Sequence, residues 1–113
     1  MHEYPVTTEI IRIASGAAEK QNASKVTKIA LVVGDLSGYA SDSIQMYFDE
    51  ISRGTPCEGA SLEIKRIRPQ LKCAECGLLF DMTPLSFKCP ACGGGSRPAG
   101  NGSEFYIDYI EAE

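Results

Sequence analysis

The sequence predicts an α+β fold in which a three-stranded sheet carries two helices and a cysteine-rich module is inserted between its second and third strands. Two segments place apolar residues at three- and four-residue intervals, as one face of a helix requires, and three segments have the residue pattern of strands. Two Cys-x-x-Cys pairs lie between the second and third of these strands. We therefore expect an α/β domain over residues 1–68 and 99–113 and a second, small domain over residues 69–98.

The first helix and the first strand are predicted from the N-terminal third of the chain. From Pro5 to Lys20 the apolar residues form one stripe along a helix, and Pro5 suits its first turn because the missing amide hydrogen has no partner there. A polar connection, Gln21–Lys25, follows. The β-branched, apolar run Val26–Gly34 then predicts a strand that is buried on at least one face.

The second helix and the other two strands of the sheet follow in order. Ser41 is expected to cap the helix, and Gly54 followed by Pro56 to end it. The apolar stripe of this helix consists of Ile44, Tyr47, Phe48 and Ile51. Ala60–Ile67 and Glu104–Ile110 alternate apolar and polar residues, so they predict the second and third strands. The last strand is expected to show Phe105, Ile107 and Tyr109 on one face.

Four of the five cysteines form the matched pairs Cys73-Ala-Glu-Cys76 and Cys89-Pro-Ala-Cys92. Each pair can turn both thiolates toward one ion, and two pairs complete the tetrahedral sulfur shell that Zn²⁺ favours. Because four thiolates leave no open coordination position, this zinc is expected to be structural. The inserted domain is therefore predicted to be a zinc-ribbon module.

Glycine and turn residues define the rest of the ribbon. Gly77 and Gly93 directly follow the second cysteine of each pair, where a tight turn is needed. Gly77–Lys88 is expected to form two short strands joined by a turn at Thr83-Pro84. The polar, glycine-rich segment Gly93–Ser103 is expected to be an irregular and flexible return linker.

Two other uses of paired cysteines fit less well. Disulfides are typical of secreted chains, but no signal-peptide core is present near Met1, and a fifth cysteine, Cys57, would stay unpaired. A redox dithiol needs one Cys-x-x-Cys between a strand and a helix, not two matched pairs. We assign no role to Cys57. The closed zinc and the single histidine offer no set of nucleophile, base and oxyanion donors, so the protein is not expected to be an enzyme.

Charge and hydropathy exclude further classes of protein. A net charge of −4 and a pI near 5.0 argue against a nucleic-acid partner, because phosphate binding depends on a basic surface. No apolar run approaches the ~20 residues that span a bilayer, so we expect no membrane association. Thiolate-bound zinc suits a reducing compartment, and we expect a cytoplasmic protein.

The N-terminus allows two interpretations. His2 is the only histidine, and a histidine in this position is ordinarily a solvated residue of a poorly ordered terminus. Alternatively, the amine of Met1 and the amide and imidazole nitrogens of His2 can chelate one ion in adjoining rings, with Glu3 adding a backbone nitrogen or its carboxylate. Nitrogen and oxygen ligands of this kind suit Ni²⁺ or Cu²⁺.

Five stretches together resemble one protein family over essentially the full length. They are Met1–Glu3, Val33–Gly38, Glu58–Leu62, the cysteine pairs with Cys89–Gly93, and Phe105–Glu111. This combination resembles the HypA family, the hydrogenase nickel-incorporation proteins. The resemblance implies a metallochaperone that holds nickel as transient cargo, with His2 as the essential nickel ligand and Glu3 as a ligand or supporting residue. It also implies that the four paired cysteines bind structural zinc.

The resemblance further implies partners: a nickel-handling GTPase (HypB) and the large subunit of a nickel–iron hydrogenase as recipient. It leaves room for a weak homodimer. The alternative is a zinc-ribbon interaction module or regulator without metal transfer. Two departures from the family pattern are Tyr4-Pro5, in place of Leu or Met followed by Ser, and the stretch Cys92-Gly-Gly-Gly-Ser96, which is expected to loosen the orientation of the ribbon. No histidine flanks either cysteine pair, so thiolate cannot be exchanged for a neighbouring imidazole.

Overall fold

The computed structural model describes residues 3–82 and 87–113. Its elements are, in order, α1 (Glu3–Lys20), β1 (Val26–Gly34), α2 (Ser41–Ile51), β2 (Ser61–Ile67), β3 (Gln70–Cys73), β4 (Leu79–Asp81), β5 (Ser96–Pro98) and β6 (Phe105–Ala112). The strands form sheet A, in the order β2-β1-β6, and sheet B, in the order β4-β3-β5. The predicted α+β class, with two helices on a three-stranded sheet and an inserted ribbon, is confirmed. Within the described ranges, no helix combines the length and apolar character needed to cross a membrane.

Sheet A holds the core of the protein. β1 lies at its centre, parallel to β2 and antiparallel to β6, and α2 provides the crossover that a parallel pair requires. Both helices pack on one face of the sheet, so that Ile29, Leu31 and Val33 of β1 are buried against them. The helices contribute Ile10, Ile11, Ala14, Ala18, Ile44 and Phe48 to this core.

Strand β6 departs from the simple alternation that its sequence predicts. Ile107 pairs with Leu31 but Tyr109 pairs with Ala30, so Asp108 is an extra residue and forms a β-bulge. Beyond the bulge the faces are exchanged: Ile110 packs against the core, while Tyr109 is 43% exposed. The expectation that Tyr109 shares a face with Ile107 is therefore wrong.

The start of α2 also differs from expectation. Ser41 is the first residue of the helix and Ala40 occupies the N-cap position, from which no side-chain capping bond is made. The first amides of a helix have no acceptor within the helix itself. One of them, the Ala40 amide, donates a hydrogen bond to the carboxylate of Glu3 at 3.1 Å.

The ribbon is built on sheet B. β3 pairs with β4 on one side and with β5 on the other, both antiparallel. Of the two short strands expected within Gly77–Lys88, the first is β4. Phe87 and Lys88, at the end of this segment, are not in a strand, and the predicted turn at Thr83-Pro84 lies outside the described residues. The fully irregular return linker is a wrong expectation, because Ser96–Pro98 forms β5.

The chain passes between the two sheets twice, and the two passages are hydrogen-bonded to each other. The side chain of Asn101 accepts a bond from the Gln70 amide at 2.7 Å and donates to the Arg68 carbonyl at 3.2 Å. The Leu36 amide donates to the Gly102 carbonyl at 2.7 Å. A Cβ on Gly34 would lie 2.0 Å from that same carbonyl oxygen, so only glycine allows this close approach.

Candidate metal centres

The four paired cysteines come together at one end of sheet B. Their sulfur atoms all lie within 4.8 Å of one another, with Cys73 Sγ 3.4 Å from Cys92 Sγ and Cys76 Sγ 3.6 Å from Cys89 Sγ. Zn–S bonds of ~2.3 Å in a tetrahedron place sulfur atoms about 3.8 Å apart. The cluster therefore fits one zinc ion held by four thiolates, as the spacing predicts.

The two halves of the cluster are the same turn built twice. In the first half the Cys73 amide donates to the Leu78 carbonyl at 2.9 Å, and the Gly77 amide to the Cys73 carbonyl at 3.2 Å. In the second half Cys89 donates to the Gly94 carbonyl at 3.0 Å, and Gly93 to the Cys89 carbonyl at 2.8 Å. Both turning glycines have positive φ, 78° and 74°, where a side chain would be strained.

The lengthened glycine stretch belongs to this arrangement. The Gly94 carbonyl closes the second turn, and the Gly95 carbonyl accepts a bond from the Ala74 amide at 2.9 Å, which joins the second half to the first. A Cβ on Gly94 would meet the Glu75 carboxylate at 2.8 Å. The additional glycines therefore have defined hydrogen-bonding and packing roles within the ribbon.

The thiols differ in acidity. Hydrogen bonds from the Cys76 and Glu75 amides lower the pKa of Cys73 to about 6, and a hydrogen bond from the Cys92 amide lowers the pKa of Cys89. The Gly94 amide acts to lower the pKa of Cys92, but hydrogen bonds with Cys73 and Cys76 outweigh it and raise that pKa to about 12. Four adjacent thiolates repel one another, and a divalent cation would remove this repulsion.

The cluster has a buried side and a solvent-exposed side. Cys73 and Cys89, the first member of each pair, are only 2% and 3% exposed, whereas Cys76 and Cys92 are exposed to solvent. The fifth cysteine is not part of the cluster: Cys57 is fully buried in the core beside Ser15, and burial raises the pKa of its thiol. Cys57 therefore behaves as a small apolar residue.

The second candidate centre is the N-terminus, of which the structure describes only Glu3 onward. Met1 and His2 lie outside the described residues. Glu3 is the first residue of α1, and its carbonyl accepts a hydrogen bond from the buried Thr7 hydroxyl. The next residue, Tyr4, packs edge-to-face on Tyr47 of α2, with ring centroids 5.4 Å apart. The Tyr4-Pro5 departure therefore gives the N-terminus an aromatic contact with α2.

Two residues with long-range hydrogen bonds were not apparent from the sequence. Arg66 at the end of β2 donates through Nε to Asp35 Oδ1 at 3.0 Å and through Nη1 to the Tyr39 carbonyl at 2.9 Å. Asn101 was expected in an irregular linker, although an asparagine between two glycines is a turn signal. For Arg66 no local signal exists, because its partners lie elsewhere in the chain.

Fold and site together define a class: a small α+β protein with a closed four-cysteine centre of the zinc type. Its family follows from comparison. A family model described as "Hydrogenase/urease nickel incorporation, metallochaperone, hypA" matches residues 1–112. The chain belongs to the HypA family, which consists of metallochaperones of hydrogenase maturation rather than enzymes.

Individual relatives agree with this assignment. The hydrogenase maturation factor HypA of Caldanaerobacter subterraneus is 44% identical over 114 residues, covering 100% of both chains. That of Dehalococcoides mccartyi is 37% identical over 113 residues, which cover 100% of this chain and 95% of the relative. The solution structure of the Ni metallochaperone HypA from Helicobacter pylori covers 97% of this chain and 96% of its own, with a TM-score of 0.64. At 22% identity this last likeness concerns the fold alone.

Proposed function

We propose that this protein binds Ni(II) at Met1, His2 and Glu3 and delivers it during maturation of a nickel–iron hydrogenase. The observation that carries the proposal is the family match, which begins at residue 1 and so includes Met1-His2-Glu3. The amine and imidazole nitrogens are ligands that Ni²⁺ prefers to a tetrahedral thiolate cage. A chelate at a chain terminus can also be dismantled one ligand at a time.

The structural zinc has a separate role in this proposal. Zn(II) is bound by Cys73, Cys76, Cys89 and Cys92, and the S···S distances of 3.4 and 3.6 Å support this ligand set. Such a site is saturated with sulfur, so its metal stabilises the ribbon and takes no part in transfer. We also propose two domains: a nickel-binding α/β domain of residues 1–68 and 99–113, and a zinc-ribbon domain of residues 69–98. The two separate sheets support this division.

Transfer proceeds by ligand exchange in the cytoplasm. The recipient displaces the His2 imidazole and the terminal amine in turn, so nickel is not released into solution. A HypB-like GTPase and the hydrogenase large subunit are the proposed partners, and nucleic acids and membranes are not. Self-association into a weak homodimer is compatible with this scheme.

The test is nickel titration of the untagged protein by calorimetry, together with His2→Ala and a variant whose N-terminus is extended by an uncleaved tag. We expect one nickel per chain in the untagged protein and none in either variant, while zinc content stays at one per chain. Unchanged nickel affinity in the extended variant would contradict an amine-based site. If His2→Ala still supported hydrogenase maturation, the alternative of an interaction module without metal transfer would be favoured.

A further inference from the structure

We propose that Arg66 is a positioning residue for the nickel-binding N-terminus and that it acts through the peptide group joining Tyr39 to Ala40. This inference rests on the proposed nickel site. It concerns how one member of that site, Glu3, is held in place by a residue of sheet A.

One peptide group connects Arg66 to Glu3. Its oxygen, the Tyr39 carbonyl, accepts a hydrogen bond from Arg66 Nη1 at 2.9 Å, and its nitrogen, the Ala40 amide, donates to Glu3 Oε2 at 3.1 Å. Because a trans peptide group is planar, its C=O and N–H point in opposite directions. Fixing the oxygen with Arg66 therefore fixes the direction of the N–H that holds the Glu3 carboxylate.

The Arg66 guanidinium is hydrogen-bonded to residues on both sides of this peptide group. Besides the Tyr39 carbonyl, Nη1 donates to Ser41 Oγ at 3.2 Å, and Nε donates to Asp35 Oδ1 at 3.0 Å. A planar guanidinium keeps these donors in a rigid geometry that lysine cannot reproduce. Arg66 thus binds the loop before α2 at its beginning and at its end.

The environment favours the carboxylate of Glu3 at this point. The N-cap position of α2 is an alanine, which has no side chain to accept from the first amides of the helix. The positive end of the helix dipole attracts a negative group. A cationic donor on the Tyr39 carbonyl polarises the same peptide group and makes the Ala40 N–H a stronger donor. Arg66 therefore strengthens as well as orients the bond to Glu3.

The consequence concerns nickel affinity. Holding Glu3 in place before nickel arrives removes part of the entropic cost of assembling the site. Mutation of a residue that contacts and orients a metal ligand typically changes metal affinity about 10–100-fold. Arg66 acts on Glu3 indirectly, through a peptide group, so we expect the lower end of this range, a loss of nickel affinity of about tenfold.

The experiment compares Arg66→Gln with Arg68→Gln, which removes the same charge two residues further along the chain. Arg68 is a suitable control because its side chain is 73% exposed and its Nη1 lies 3.9 Å from Asp81 Oδ2, in the ribbon. Nickel affinity is measured by calorimetry on untagged, zinc-loaded protein, and exchange of the Ala40 amide is measured by NMR without nickel. We expect weaker nickel binding and faster Ala40 exchange in Arg66→Gln, and neither change in Arg68→Gln.

The outcomes separate this inference from the proposed function. If the parent protein binds nickel and His2→Ala abolishes binding, but Arg66→Gln binds as tightly as the parent, the inference is wrong and the proposed function stands. A lower melting temperature without loss of affinity would reveal a purely structural role and would also overturn it. Should Arg66→Gln fail to fold, Arg66→Lys is measured in the same way, and undiminished affinity in that variant is equally contradictory.

Discussion

The α/β part of the molecule and the ribbon achieve order by different means. Around sheet A, a continuous cluster of apolar side chains is buried beneath two helices. In the described part of the ribbon the only buried residues are Leu71, Cys73 and Cys89, while Leu79 and Phe87 are 53% and 59% exposed. A module with so little buried apolar surface needs a further source of stability, which zinc at the four-cysteine cluster would supply. The comparison teaches that one chain can combine a region stabilised by packing with a region built for stabilisation by metal coordination.

The largest test of this comparison removes one zinc ligand. In Cys73→Ala we expect zinc content to fall to zero and the ribbon to unfold, because metal binding supplies about 10–16 kcal/mol to small zinc modules. The α/β part should remain folded, since its core contains no zinc ligand. Zinc analysis and an NMR amide spectrum check both outcomes. The matched control is Cys57→Ala, which should retain zinc. A zinc-loaded Cys73→Ala protein would show that the ligand set is wrong.

A smaller effect is expected from a cavity in the core. Phe48 is 1% exposed, and Phe48→Ala should lower the free energy of unfolding of the α/β part by about 3–5 kcal/mol, measured by urea denaturation. Zinc content should be unaffected. Met46, on the same helix, is 55% exposed, so Met46→Ala serves as a control with little effect. Loss of zinc in Phe48→Ala would mean that the two regions are not independently stabilised.

The smallest effect concerns the boundary between the regions. Gly34→Ala forces a Cβ against the Gly102 carbonyl and should lower the free energy of unfolding by about 1–3 kcal/mol. The Leu36 amide, which donates to this carbonyl, should exchange faster. Gly16→Ala, in the interior of α1 with open space around the new Cβ, should instead stabilise the protein by about 0.5–1 kcal/mol. Equal unfolding free energies for the two variants would contradict the tight approach at Gly34.

The sequence predicted the elements whose signal lies within their own residues. The bounds of β1 were expected because a segment rich in β-branched and apolar residues ends at a glycine. The cysteine cluster was expected because the spacing of the two cysteine pairs is that of a metal site. β5 was missed because Ser-Arg-Pro has no strand signal. These residues form a strand through their pairing with β3, a contact between distant parts of the sequence.

Tertiary contacts explain the remaining misses. An alanine at the N-cap of α2 is unfavourable locally, and Glu3, the first residue of α1, compensates by accepting a hydrogen bond from the Ala40 amide. The bulge at Asp108 reflects the fit of β6 to β1 and cannot be seen in the alternation of β6 alone. Arg66 belongs to the same group, since three of its acceptors lie between Asp35 and Ser41.

The position of the ribbon between β2 and β6 has a consequence for the time course of folding. β6 completes sheet A, yet it is synthesised only after the entire ribbon. Without metal, the intervening segment is a long loop whose ends must meet before β6 can pair with β1, and this closure has an entropic cost that grows with loop length. Zinc capture shortens the effective loop, because β3 and β5 are then held side by side. The metal is thus expected to accelerate the last folding step of a sheet that it never touches.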